Sequence, residues 1–138
     1  MIYFTIPGKP KGKGRPKFAR RGNFVKTYTP EATVNYENWV KLCYQAAEQS
    51  SISGEIQVEI QCYFEIPESI KGKKRELYLS GEIRPTKKPD LDNIMKCVTD
   101  ALNEIAYQDD KQIVEASIEK YYSEEPRVEI EICELDTV

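Results

Sequence analysis

Residues 55–67 read EIQVEIQCYFEIP, and in them Ile56, Val58, Ile60, Cys62, Phe64 and Ile66 alternate without a break. Period-two alternation of this length predicts a strand with one face buried and the other wet. Upstream, Ile2 to Pro7 reads as a short first strand. Thr29-Pro30-Glu31 is a helix start, with a hydroxyl at the N-cap, proline at the first helical position and an acid in the first turn. That helix is expected to run to about Gln49, with Tyr36, Trp39, Val40, Cys43, Ala46 and Ala47 at helical spacing. Downstream, Leu91, Ile94, Met95, Val98, Ala101, Leu102 and Ile105 make one apolar stripe of a second helix. Ile113 to Tyr122 and Arg127 to Glu134 read as two strands joined as a hairpin at Glu124-Glu125-Pro126.

Two segments resist a regular reading. Gly8 to Lys26 is too rich in glycine, proline and charge for regular structure, and reads as a long basic loop holding Phe18 and Phe24. Lys71 to Pro89 reads as a second basic loop. The order is then strand, loop, helix, strand, loop, helix, strand, strand. It predicts one α+β domain over residues 1–138, a mixed or antiparallel sheet packed by two main helices, with basic loops at about 8–27 and 68–89.

Composition removes several function classes. No apolar run approaches the roughly 18 residues that cross a bilayer, and no signal peptide is visible, so a soluble cytoplasmic protein without membrane contact is expected. Cys43, Cys62, Cys97 and Cys133 are scattered with no Cys-x-x-Cys pair, which favours free thiols over disulfides or zinc. The chain has no histidine. Histidine acid–base catalysis, Ser-His or Cys-His nucleophiles and histidine metal ligation are therefore excluded. Any metal would be a hard, oxygen-liganded cation such as magnesium or manganese.

The net charge of −3 hides an asymmetry. Residues 1–30 carry eight Lys or Arg and no acid, while residues 31–138 carry twelve bases and all 23 acids. Lys71 to Lys88 adds seven bases against Glu76 and Glu82. A basic arm on an acidic body is the pattern of an anion binder, nucleic acid foremost; a solvated tail is the plainer reading of the same charges.

Between the second basic segment and the second helix stands KPDLDN, residues 88–93. A lone Asp-x-Asp usually does no more than cap a helix. Here the helix face opposite the apolar stripe carries Asp92, Lys96, Asp100 and Asn103, and Asp92 and Lys96 are four apart, close enough to interact. Asp109-Asp110 follows, just before the next strand, and a strand packing back on the helix could bring it near. Carboxylates about 4 Å apart repel by roughly 4 kcal/mol at an effective dielectric near 20, so such a cluster persists around a lysine, a proton or a divalent metal. A calcium-binding EF-hand does not fit, because the stretch continues into a helix with no glycine at the sixth loop position.

The stretch KPDLDNIMKCVTDALNEIAYQDDKQIVE resembles the signature of the RusA-like Holliday junction resolvases, phage- and prophage-associated endonucleases: Asp-x-Asp-Asn, a lysine four residues after the second Asp, Asp-Ala-Leu, then Asp-Asp-x-Gln. IPGKPKGKGRPKFARRG and TYTPEATVNYE resemble the amino-terminal half of one branch of that family. The resemblance implies a homodimer that nicks opposed strands of a four-way DNA junction in recombination and repair, with magnesium or manganese as cofactor. It places the metal-binding catalytic acids on Asp90, Asp92 and Asp110, and the essential lysine on Lys96. Lysine, a compact charge on a flexible stem, suits charge stabilisation at phosphorus. Lys9, Lys11, Lys13, Arg15, Lys17, Arg20 and Arg21 would line DNA phosphates, with Lys73, Lys74, Arg75, Lys87 and Lys88 as a second footprint. A non-catalytic DNA-binding module, and a nuclease for other branched DNA, are the competing readings. One departure from the family is visible: relatives often have glycine near the end of this helix, where this chain has Glu104.

Overall fold

A computed structural model describes residues 1–48 and 50–135. The strand at residues 55–67 is central. It becomes β4, Ile56–Glu65, paired on both edges in a four-stranded sheet with β1 (Ile2–Pro7), β5 (Ile113–Ser123) and β6 (Arg127–Glu134). The order is β1-β6-β4-β5, with β6 antiparallel to β1 and β4, and β5 parallel to β4. The alternation sets the register. Phe4 pairs Ile130, Ile130 pairs Ile60 and Ile60 pairs Ile118, so one apolar row crosses the whole sheet. The rows Ile2, Ile132, Val58 and Ile6, Val128, Cys62 flank it. The opposite face is polar, with Glu59 directly across from Glu131.

Two helices cover the apolar face. α1, Glu31–Ala47, buries Thr33, Tyr36, Val40 and Tyr44 against β1 and against the helix at Leu91–Ala101. That second helix buries Ile94, Cys97, Val98, Thr99 and Ala101. Burial also pushes the thiols of Cys62 and Cys97 up to about 12, and all four cysteines are free. No helix of the described residues is long and apolar enough to cross a membrane.

Four expectations are corrected. β5 and β6 are not a hairpin, because β4 lies between them and residues 124–126 bridge over its end. The helix at Leu91–Ala101 is the crossover that a parallel neighbour of β4 requires, so β5 docks at the outer edge. β5 leaves Val114 exposed, as an edge position permits, while Val128, Ile130 and Ile132 of β6 are fully enclosed. The first basic loop contains a hairpin, β2 (Lys17–Arg21) with β3 (Phe24–Tyr28), turning at Gly22-Asn23 with Gly22 at φ +60°. Gly-Asn between two short runs is itself a hairpin-turn signal. The second basic loop contains α2, Gly72–Ser80, and the segment that follows lies along β5. α1 begins one residue late: Pro30 takes the N-cap with extended backbone, its carbonyl accepts the N–H groups of Thr33 and Val34, and Thr29 caps nothing. The expected end of α1 at Gln49 lies outside the described residues, and the described helix ends at Ala47. Trp39 is exposed, its indole N–H donating to the Pro7 carbonyl at 2.8 Å.

Candidate active site

The helix at Leu91–Ala101, here α3, carries the acidic motif, and its two ends differ in how their carboxylates are used. Asp90 stands at the N-cap with φ −69° and ψ 153°, the place where an aspartate would cap, yet its side chain accepts no hydrogen bond from the helix. Asp92 lies in the first turn. Both are exposed, and among the described residues neither carboxylate has a hydrogen-bond or ion-pair partner. The plain capping role, commonly worth about 1 kcal/mol, is therefore not the one Asp90 plays here.

One turn on, Lys96 has an acid four residues away on either side, and it pairs with Asp100 rather than Asp92. Its ammonium lies 3.1 Å from Asp100 Oδ2, the other i,i+4 neighbour. Asp100 is the better partner because its side chain is only 18 % exposed and needs a counter-charge, whereas Asp92 faces solvent. A second lysine reaches the same acid: Lys13 Nζ is 3.3 Å from Asp100 Oδ2 and 3.0 Å from Glu37 Oε1 of α1. Glycines deliver it. A Cβ on Gly12 would stand 2.9 Å from Pro89 Cβ and 3.0 Å from Asn93 Cβ; one on Gly14 would stand 2.7 Å from Thr33 Oγ1. Only glycine lets the chain pass this closely over the starts of both helices. Between the two, the Lys13 N–H donates to the Asn93 carbonyl at 2.9 Å, and the Gly14 N–H to Thr33 Oγ1 at 3.0 Å. Burial works to lower the Lys13 pKa, but its hydrogen bonds to Glu37 and Asp100 prevail and hold it above the ordinary lysine value.

Beyond α3 the chain turns sharply at Glu104, the only non-glycine residue with positive φ (66°) among the described residues. Glycine takes such a backbone without a Cβ clash. Asp109 then caps a single 3-10 turn, Asp110–Gln112, through a reciprocal box with Gln112. Asp109 Oδ1 accepts the Lys111 N–H at 2.8 Å, and Gln112 Oε1 accepts the Asp109 N–H at 3.0 Å. Asn103 Oδ1 takes the Asp110 N–H at 2.8 Å and so ties this turn to the end of α3. Burial first, then a hydrogen bond shared with Asp109 and the negative charge of Asp100, raise the Asp110 pKa, against the pull of Lys96. The Lys111 N–H chiefly holds Asp109 below the usual carboxylate range.

The acids thus form two groups. Asp90 and Asp92 sit at the amino end of α3, while Asp110 sits near Asp100 and Lys96 at the carboxyl end. Asp92 and Asp100 are eight residues apart, about 12 Å of helical rise. Among the described residues no three acids come close enough to hold an ion together. Two free carboxylates do fit the magnesium pattern in which one or two carboxylates share the ion with substrate phosphates and waters.

The two basic segments meet beside this motif. Lys9 and Lys11 from the first, and Lys87 and Lys88 from the second, line one cavity together with Pro89. Arg15, Lys17, Arg20 and Arg21 are exposed on the hairpin and its stem. Lys73 and Lys74 are exposed on α2, whereas Arg75 is half-buried against the Ile70 carbonyl and Glu124. Lys13, grouped by sequence with the arm, ends inside the protein surface. Sequence reasoning placed Lys13 on DNA phosphates rather than in an ion pair with Glu37 and Asp100, and it missed Glu37 and the support that Asn103 gives Asp110. The Gly-Lys-Gly spacing at 12–14 was the available signal for Lys13.

Comparison with known proteins decides the family. The profile described as Endodeoxyribonuclease RusA matches residues 7–133. The chain belongs to the RusA endodeoxyribonuclease family. A relative of similar length is "Uncharacterized protein YqaN" of Bacillus subtilis (strain 168), 39 % identical over 137 residues, covering 97 % of this chain and 96 % of that one. A shorter match joins it to "Crossover junction endodeoxyribonuclease rusA" of Lactococcus phage r1t, 45 % identical over 51 residues, 36 % of this chain and 39 % of that protein.

Proposed function

We propose that this RusA-family chain is a divalent-metal-dependent, structure-specific endodeoxyribonuclease that resolves Holliday junctions in the cytoplasm by paired nicks, working as a homodimer. The observation that carries the reading is the pair Asp90 and Asp92, at the N-cap and in the first turn of α3 and without a partner among the described residues. Carboxylates held free beside lysines are poised for an external cation. Asp90 and Asp92 would hold magnesium or manganese, and Asp110, which stands at the other end of α3, would join them as third acid only by moving toward them when DNA binds. When bound, such an ion activates water and offsets charge on the phosphate.

The chain's own groups have separable tasks. Asp90 and Asp92 orient what binds at the start of α3. Lys96, exposed except for its contact with Asp100, offers a mobile positive charge to the phosphate as negative charge grows. Asp100 and Glu37 fix Lys13 beside it. Lys9, Lys11, Arg15, Lys17, Arg20, Arg21, Lys73, Lys74, Lys87 and Lys88 supply the phosphate footprint. The deciding experiment incubates the protein with a mobile four-way junction, a flap and a linear duplex, each with and without magnesium. Symmetric nicks in the junction alone, with magnesium, are expected. Binding without cutting would leave a DNA-binding module, and cutting confined to the flap would leave a different branched-DNA nuclease.

A further inference from the structure

The cavity flanking Asp90 has a lining that phosphate binding does not explain. Its volume is about 740 Å³, within the roughly 300–1,000 Å³ of sites that take small organic groups. Pro10, Phe64, Ile66 and Pro89 give it apolar walls, and Lys9, Lys11, Lys87 and Lys88 give it a cationic rim. Glu65 and Glu68 also line it, although a carboxylate repels phosphate. The walls are held in place: Pro10, Phe64 and Ile66 are buried, and Lys120 Nζ sits 5.3 Å from the Phe64 ring centroid while donating to the Lys87 carbonyl at 2.7 Å. The cavity shares a wall with the acidic motif, since Pro89 precedes Asp90 and Gly12 packs on both Pro89 and Asn93.

We propose that this cavity receives one unpaired nucleobase of the DNA substrate, the base neighbouring the phosphate that is cut beside Asp90 and Asp92. A base has apolar faces, which suit the proline and phenylalanine walls, and a polar edge. Carboxylates accept hydrogen bonds from exocyclic amino groups on that edge, which gives Glu65 and Glu68 a role beside cations that hold the sugar–phosphate chain. Swinging a base out of its stack costs least where the helix is already interrupted, so occupancy favours a branch point over intact duplex. The cavity then reads both substrate shape and base identity at the cut.

This inference rests on the nuclease reading for the place of the phosphate, and its test separates the two. Four-way junctions carrying 2-aminopurine at single positions around the branch are titrated with the full chain in calcium, and fluorescence is followed. One position flanking the cut is expected to change several-fold while its neighbours stay flat. Glu68→Trp, which fills the cavity from an exposed position, should abolish that change and slow magnesium-dependent cleavage ~10-fold, the scale of losing one stacked base. Should that variant misfold by circular dichroism, the double variant Glu65→Gln/Glu68→Gln carries the test: it should alter which base is preferred beside the cut. Cleavage without a position-specific signal, or a signal and base preference indifferent to these substitutions, overturns the cavity assignment alone. A signal without cleavage overturns the nuclease reading and upholds the cavity. Failure to bind any junction overturns both.

Discussion

The two ends of α3 carry the same residue type in opposite conditions. At the amino end, Asp90 and Asp92 are exposed and have no partner among the described residues. At the carboxyl end, Asp100 is held by two lysines, and the Asp109–Asp110 turn is fastened by Gln112, Lys111 and Asn103. Partnered charges are architecture, because removing one strands another. Free carboxylates close to each other at the surface contribute little to folding, so what they do is done with something from outside. On the proposed function, the helix separates a supporting end from a working end within a few turns.

The largest effect should come from the working end. Asp90→Asn and Asp92→Asn are each expected to lower junction cleavage about 10³-fold or more, with junction binding unchanged or tighter as repulsion toward phosphate falls. Thermal stability should move by no more than about 0.5 kcal/mol, as for other unpartnered surface groups. Melting curves and cleavage assays on the same preparations check both halves, and near-wild-type cutting by either variant would break the contrast. Asp110→Asn should also abolish cleavage if it joins them as a ligand; retained activity would assign it to the supporting end.

Lys96 stands between the two ends, and Lys96→Ala should cost about 10²-fold in turnover. Its ion pair with Asp100 is largely exposed on the lysine side, so the protein should remain folded. Lys96→Arg should restore little, because a planar guanidinium does not replace a compact ammonium. Normal cutting by Lys96→Ala would reduce the lysine to a surface charge.

The basic arm can be divided by the same contrast. Replacing Lys11, Arg15, Lys17 and Arg20 with Ala should flatten the slope of log affinity against log salt by roughly 3–4, about 0.9 for each phosphate left without its cation. Lys13→Met should leave that slope nearly unchanged and instead destabilise the fold by about 1–2 kcal/mol, between exposed and buried ion pairs. Because the folded Lys13 pKa is raised, its stabilisation is complete below the ordinary value of 10.5 and fades as pH rises through the higher folded value. The stability gap between Lys13→Met and the parent should therefore hold at pH 7 and close only in strong alkali. A gap that closed near neutrality would show that Lys13 is not paired as described.

The smallest effect concerns Glu104. Glu104→Gly should stabilise the protein by about 1 kcal/mol, since glycine takes a φ of 66° without a Cβ clash. Denaturant melts would register the shift, and a loss of stability would mean that the glutamate side chain makes up for the strain.

Strand and helix assignments were legible wherever burial is one-sided. The alternation at 56–66 and the stripe at 94–102 are written in residue type, because a buried face must be apolar whatever surrounds it. The bounds of β1 and β6 follow from the same rule. The unusual backbone at Glu104, just past the end of α3, falls where the sequence departs from its resemblance. What lay beyond reach was pairing at a distance. Nothing local to β5 and β6 says that β4 will come between them; that follows from the helical crossover, which exists only once α3 has docked. Nothing local to Lys13 says that it leaves the basic arm for Glu37 and Asp100, 24 and 87 residues away along the chain. A side chain's chemistry is set by its type, but whether its charge is spent or free depends on which distant groups the packed core carries to it.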